Sequence, residues 1–246
     1  MKKLLLVLLF LCPRPAFSAW TLIQQAQALS TDNSNVGPTT GVDTTNANAL
    51  MVFLVSNTAI NCTFADNKSN SWTLRDNQMT ASGLVIRFYD VLPTGTSTPV
   101  VGSGHTVSCT GGSGAAYPAI SFMAWKTPPA VVAFNGSNAT ETNTGTSLAT
   151  GSITPTGNDA LVLAGAGAAG LPQDVTMVSA GFTLYHAAAT ANAFPIGFAY
   201  LNQVTAAAVN PTFTLSASTT NGWADIVAYI PTGPKKGSLL TLGVGR

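Results

Sequence analysis

The sequence predicts an all-β fold: a two-sheet, jelly-roll-like β-sandwich of about eleven or twelve strands, built from two similar halves. Three observations carry this reading. Apolar residues recur with period two, as where Leu84, Ile86 and Phe88 alternate with Val85, Arg87 and Tyr89, the spacing of a strand and not of a helix. Turn residues separate these runs at Asp66–Asn70, Pro93-Thr94-Gly95, Gly111 to Gly114, Asn158-Asp159 and Asn221-Gly222. The second half of the chain repeats the first, and a repeat of this kind is the signature of duplicated supersecondary units.

Residues 1–18 read as a secretory signal peptide. Lys2 and Lys3 precede an apolar run, Leu4 to Leu11, which Pro13 and Pro15 interrupt before the small-x-small site Ala16-Phe17-Ser18. Cleavage is expected after Ser18. The apolar run is about half the ~20 residues a spanning helix needs. Loss of Lys2, Lys3 and Arg14 leaves 7 basic against 9 acidic groups, so the small positive total of the precursor belongs to the targeting segment.

Residues 20–29 form an N-terminal strand. The first half-repeat, residues 40–126, supplies strands near 49–56, 71–75, 84–92, 105–109 and 118–126. The second, residues 150–230, supplies their counterparts. Thr40 to Leu50 matches Thr150 to Leu161. Trp72-Thr73-Leu74 matches Phe182-Thr183-Leu184, and Ile86 and Phe88 match Ile196 and Phe198. Thr106 to Ser108 matches Thr214 to Ser216, and Ala119 to Trp125 matches Asp225 to Pro231. The glycine-rich stretch Ala164 to Gly170 is a poor helix and is expected to continue a strand with close backbone contacts. Residues 127–149 read as a connector, either a long exposed loop or an edge segment, with a short additional strand at Ala130 to Phe134. Residues 231–246 form a tail, because Pro231-Thr232-Gly233-Pro234 is a poor continuation of a ladder. Five strands per half are few for an independent immunoglobulin-like domain, so one sandwich over residues 19–230 is favoured over two small tandem domains.

Export leaves Cys62 and Cys109. An even pair in an oxidising compartment most simply forms one disulfide, and each cysteine shares an apolar face with its neighbours, Ile60 and Phe64 for one and Val107 for the other.

The ordered motifs resemble the uncharacterised extracellular β-sandwich modules of bacterial secreted and surface proteins and of some phage-associated proteins. They are Leu22-Ile23-Gln24-Gln25, Asn48-Ala49-Leu50 with its apolar strand, Asp66 to Thr73, the strand ending at Tyr89, His105 to Ser108, a second Asn-x-Ala-Leu at 158–161, and Trp223-Ala224. The resemblance covers most of residues 20–230. It rests on turns and core positions, so it implies a fold and an extracellular compartment and no activity. This chain departs from the pattern by lacking an acidic residue around Ala124-Trp125 and by adding the cysteine pair.

Charged residues make up 8% of the chain, against roughly 25% in an average soluble domain. Thr, Ser, Asn, Ala and Gly take their place. This composition excludes a charge-laced coiled coil, a charge-driven disordered chain and a basic nucleic-acid binder. Catalytic raw material is also scarce: eight Asp, Glu141, and the two histidines His105 and His186. Neither histidine accompanies a Gly-x-Ser-x-Gly elbow, and no catalytic residue, metal centre or cofactor is assigned. Asp66, Asn67 and Asn70 offer oxygen ligands for Ca²⁺, but Lys68 between them and ordinary turn chemistry favour a structural loop. Arg87 and Tyr89 share a strand face and form a candidate ligand patch. The expected function is a secreted, non-enzymatic module for surface binding or adhesion, with a glycan or surface protein as partner. The alternative is a structural subunit that assembles through residues 231–246. A secreted glycoside hydrolase is the weakest reading.

Overall fold

The computed structural model describes residues 20–57, 63–79, 83–94, 98–110, 116–128, 131–142, 144–169, 173–179 and 181–232. Two five-stranded antiparallel sheets lie face to face at its centre. The first takes β1 (Thr21–Leu29), β2 (Ala49–Asn57), β4 (Thr73–Met79), β5 (Leu84–Val91) and β7 (Ala119–Lys126) in the order β1-β7-β2-β5-β4. The second takes β8 (Val131–Thr142), β10 (Ala160–Ala169), β12 (Thr183–Ala187), β13 (Ile196–Gln203) and β15 (Asn221–Thr232) in the order β8-β15-β10-β13-β12. These orders become identical when each strand is exchanged for its counterpart in the repeat. The duplication read from short motifs is therefore a duplication of topology.

Each large sheet is also covered on its outer face. Over the first lies the pair β3 (Thr63–Asp66) and β6 (Val107–Thr110). Over the second lies a three-stranded sheet of β9 (Gly145–Ala149), β11 (Val175–Val178) and β14 (Thr212–Thr219), in the order β11-β14-β9. The sandwich thus has four layers, and three hydrophobic clusters fill the spaces between them. The central one joins Met51, Phe53, Phe88, Met123 and Trp125 of the first sheet to Leu161, Leu163, Phe198, Val227 and Tyr229 of the second. The outer ones lie under β3–β6 and under β11-β14-β9. This layering explains why Leu50 to Val55 and Leu161 to Ala164 are unbroken apolar runs: both faces of β2 and β10 are buried, as in sheets covered on both sides.

The two large sheets meet about an approximate two-fold axis. β5 lies against β15 as β7 lies against β13, and β4 lies against β8 as β1 lies against β12. Each pair becomes the other when the halves are exchanged, which is the rule of an isologous contact. Packing is close along β10. A Cβ at Gly165 would stand 2.4 Å from the Phe53 ring, and one at Gly167 would stand 2.5 Å from Val55. The glycines expected to bring backbones together do so at the centre of the molecule.

The described residues contain fifteen strands, more than the eleven or twelve expected. The additional strands are short cover elements, β3 and β11, and much of the connector. Residues 131–142 form a full edge strand and residues 145–149 join the outer sheet, so of the two forms expected for the connector it takes the edge segment and not the long loop. Asn221-Gly222 is strand and not turn; Leu148 packs 2.6 Å from where a Gly222 Cβ would be. The last ladder runs through Pro231 to Thr232. Pro231 is tolerated because pairing with β10 has ended at Tyr229, leaving that side of the strand as an edge. Among the described residues no helix is long and apolar enough to cross a membrane. The expected signal segment and tail residues 233–246 lie outside the described residues.

Candidate functional site

The Asp66–Asn70 loop is closed by its own hydrogen bonds. Asp66 Oδ1 accepts from the Lys68 and Asn70 amides at 3.1 and 3.0 Å. Asp66 Oδ2 accepts from Asn70 Nδ2 at 2.7 Å and Trp72 Nε1 at 3.2 Å, and faces His105 Nε2 at 3.1 Å. Asn67 Oδ1 accepts from the Thr106 amide and Asn70 Oδ1 from the Val100 amide. The oxygens that Ca²⁺ would use are committed to N–H donors, so Asp66, Asn67 and Asn70 work as turn and anchor. The His105 ring continues the network: its Nδ1 lies 2.9 Å from Thr44 Oγ1, which in turn bonds the Gly102 backbone. Thr44, His105 and the Asp66 carboxylate are closed to solvent. Thr, His and Asp in this order look like a hydrolytic relay, but a substrate has no path to the hydroxyl. Burial opposes ionisation of Asp66, yet the His105 and Asn70 hydrogen bonds outweigh it and hold the carboxyl at about 2.

Arg87 and Tyr89 do share the outer face of the first sheet. Tyr89 is stacked on Phe64 with ring centroids 4.8 Å apart, and Phe64 in turn meets the Trp72 edge. Arg87 Nε donates to Asn77 Oδ1 at 2.8 Å. Beside them on β4, the strand register places Leu74 opposite Tyr89, Asn77 opposite Arg87 and Met79 opposite Val85. Leu74 and Met79 are 47% and 59% exposed. The second half treats the equivalent ground differently. Gly197 stands where Arg87 does, and Val175 of β11 packs onto it, 2.6 Å from a would-be Cβ. One copy of the repeat closes this spot with an aliphatic side chain, and the other presents a guanidinium, an amide and two apolar side chains.

A third group of polar residues was not anticipated. A β-bulge in β4 between Leu74 and Asp76 turns both Arg75 and Asp76 toward the central interface. Bulges commonly redirect side chains in this way. Arg75 Nε donates to the buried Asp90 Oδ2 at 2.6 Å, and its guanidinium lies over the Phe134 ring. The Tyr229 hydroxyl and Asp225 complete the group, both fully buried on β15. Burial raises the Asp90 carboxyl although Arg75 opposes it. Burial, aided by the Asp90 charge, raises the Tyr229 phenol well above its usual range. The single extra residue that creates the bulge leaves no mark in the period-two pattern of the sequence, so periodicity alone does not disclose this group.

His186 lies on β12 with Nδ1 2.8 Å from Asp174 Oδ1, both partly exposed. Among the described residues no three His, Cys, Asp or Glu side chains gather as a metal site. Cys109 is fully buried on β6, opposite Phe64; Cys62, and with it the expected bridge, lies outside the described residues. A shallow hollow of about 20 Å³ is lined by Trp20, Asp159, Ala160, Asn202, Gln203 and Val204, far below the ~300 Å³ at which small-molecule pockets begin. Comparison of the chain with protein families, with curated proteins and with solved structures found no match.

Proposed function

We propose that this chain is an exported, non-catalytic binding module whose contact surface is the outer face of β4 and β5, at Leu74, Asn77, Met79, Arg87 and Tyr89. The observation that carries this reading is the contrast between the two halves: Val175 seals Gly197, while Arg87 at the matching position is presented beside exposed Leu74 and Met79. A planar guanidinium, an amide and an aromatic edge suit neutral polar ligands, and a glycan is the ligand class proposed. Apolar side chains beside the polar ones supply the stacking area such ligands use. Both histidines are held in structural contacts, which further supports a binding role over hydrolysis. A glycan array probed with the full chain tests this. Binding that is lost in Arg87→Ala and Leu74→Ser, with the thermal midpoint retained, supports it; an array without hits, or hits unaffected by both substitutions, overturns it.

A second reading is assembly into an extracellular filament or coat through residues 231–246, which would add as a strand to an edge such as β4 or β8 of a neighbouring copy. Sedimentation of the full chain and of a chain ending at Thr232 separates the two readings. Export itself predicts a Cys62–Cys109 disulfide. Alkylation before and after reduction, followed by intact mass, is expected to modify these thiols only after reduction.

A further inference from the structure

Asp225 is the least compensated charge-bearing group in the described molecule. It stands on β15, facing the first sheet, with 0% exposure, and neither carboxyl oxygen has a hydrogen-bond partner. Its neighbours across the β10 ladder and beyond are apolar: it pairs with Gly165, over which the Phe53 ring lies. The ionisable groups around it do not neutralise it. On β4, Arg75 is spent on Asp90 of β5, and Asp76 brings a second carboxyl toward Asp225. On β15 itself Tyr229 is neutral, and on β8 Glu141 pairs opposite Trp223. β9, β10 and β14 carry no ionisable side chain. An unpaired carboxylate in such a place costs far more than a neutral acid.

We propose that Asp225 is a proton-held joint between the two halves: the neutral acid lets the large sheets close on each other, and loss of its proton loosens their contact. Proton release to solvent is the whole step, and it leaves one negative charge between the sheets. Burial, with a smaller push from Asp76, moves the carboxyl up to about 9; the nearby Ile226 amide, which makes no hydrogen bond to it, opposes this only weakly. The sign follows from linkage. A group whose folded value is raised favours folding fully below its unfolded value, near pH 4, and that contribution is lost as pH rises to the folded value. Across the interval each pH unit raises the opening constant tenfold for this group alone.

The test compares the full chain with Asp225→Asn, which keeps shape and removes the titration. Urea midpoints are measured from pH 6 to pH 10 while the fluorescence of Trp223, two residues away in the same core, is followed. The wild type is expected to lose stability with pH and Asp225→Asn to hold a nearly level midpoint. Parallel loss in both proteins, or no loss in the wild type, overturns the proposal. Infrared spectra keep the question decidable if the variant fails to fold. A protonated-carboxyl band is expected in the wild type at neutral pH and should fade in strong alkali; its absence at neutral pH overturns the proposal.

Discussion

At the scale of single residues, charge is placed by burial and hydrogen bonding, and two aspartates show opposite outcomes. Asp66 is surrounded by donors and ionises at about 2, down from 3.8. Its contribution to stability is present above the unfolded value and is lost as pH falls through the folded one. Asp66→Asn is expected to lower stability by about 2 kcal/mol at neutral pH. It should also flatten the acid limb of stability between about pH 4 and pH 2, measured by urea titration at stepped pH. Asp225, without donors, moves the other way. Both residues look alike in the sequence, as polar positions within strands or turns. What separates them is the number of N–H groups that the fold brings within reach.

At the scale of elements, β10 is defined by what it lacks. Gly165 and Gly167 leave room for Phe53 and Val55 of β2, so the two central strands approach more closely than side chains would permit. Gly165→Ala is expected to destabilise the protein by about 1–3 kcal/mol through overpacking. Phe53→Leu in the same chain should recover part of that loss, which a double-mutant cycle in urea would measure. The glycine-rich run was legible as a strand with close contacts. Which side chains fill the space was not, because nothing in residues 164–170 names residues 53 and 55 of the other half. The connector shows the converse. Its Thr, Asn and Ser suit a loop, yet residues 131–142 form an edge strand because β15 offers it a ladder from Gly222 to Thr232, interrupted by one bulge between Ala228 and Tyr229.

At the scale of the whole molecule, the central interface is a duplicated surface packed against its own copy. Met51, Phe53, Val55, Ile86 and Phe88 would be laid bare in a first half expressed alone, and Leu161, Leu163, Ile196 and Phe198 in the second. An exposed apolar face of this kind exceeds what soluble monomers tolerate. Each half alone is therefore expected to pair with itself or precipitate, as read by sedimentation velocity. A soluble, folded monomeric half would show that the central contact is dispensable. The two-fold is imperfect in an instructive way. The ladders set Trp125 beside Ala49 as they set Tyr229 beside Leu161, which moves the match of the last strand two positions from the one read in the sequence. Where one end holds Arg75, Asp90 and Tyr229, the matching end holds Tyr185, Tyr200 and Trp125, the last two in edge contact at 5.0 Å. Different chemistry at the two ends marks which half faces which.

The sequence by itself determined the strand periodicity, the repeat and the order of its elements, because these are local patterns that a chain carries whatever it packs against. It also contained a sign of the four layers, in the unbroken apolar runs of β2 and β10, since a strand with one wet face would alternate. Only the tertiary structure decided that Arg75 and Asp76 both turn inward, that Asp225 is left without a donor, and that Arg87 is presented where its counterpart is sealed. The first depends on a bulge in β4, and the others on neighbours from different strands, Val175 over Gly197 and Gly165 with the Phe53 ring beside Asp225, and packing of that kind has no period to read.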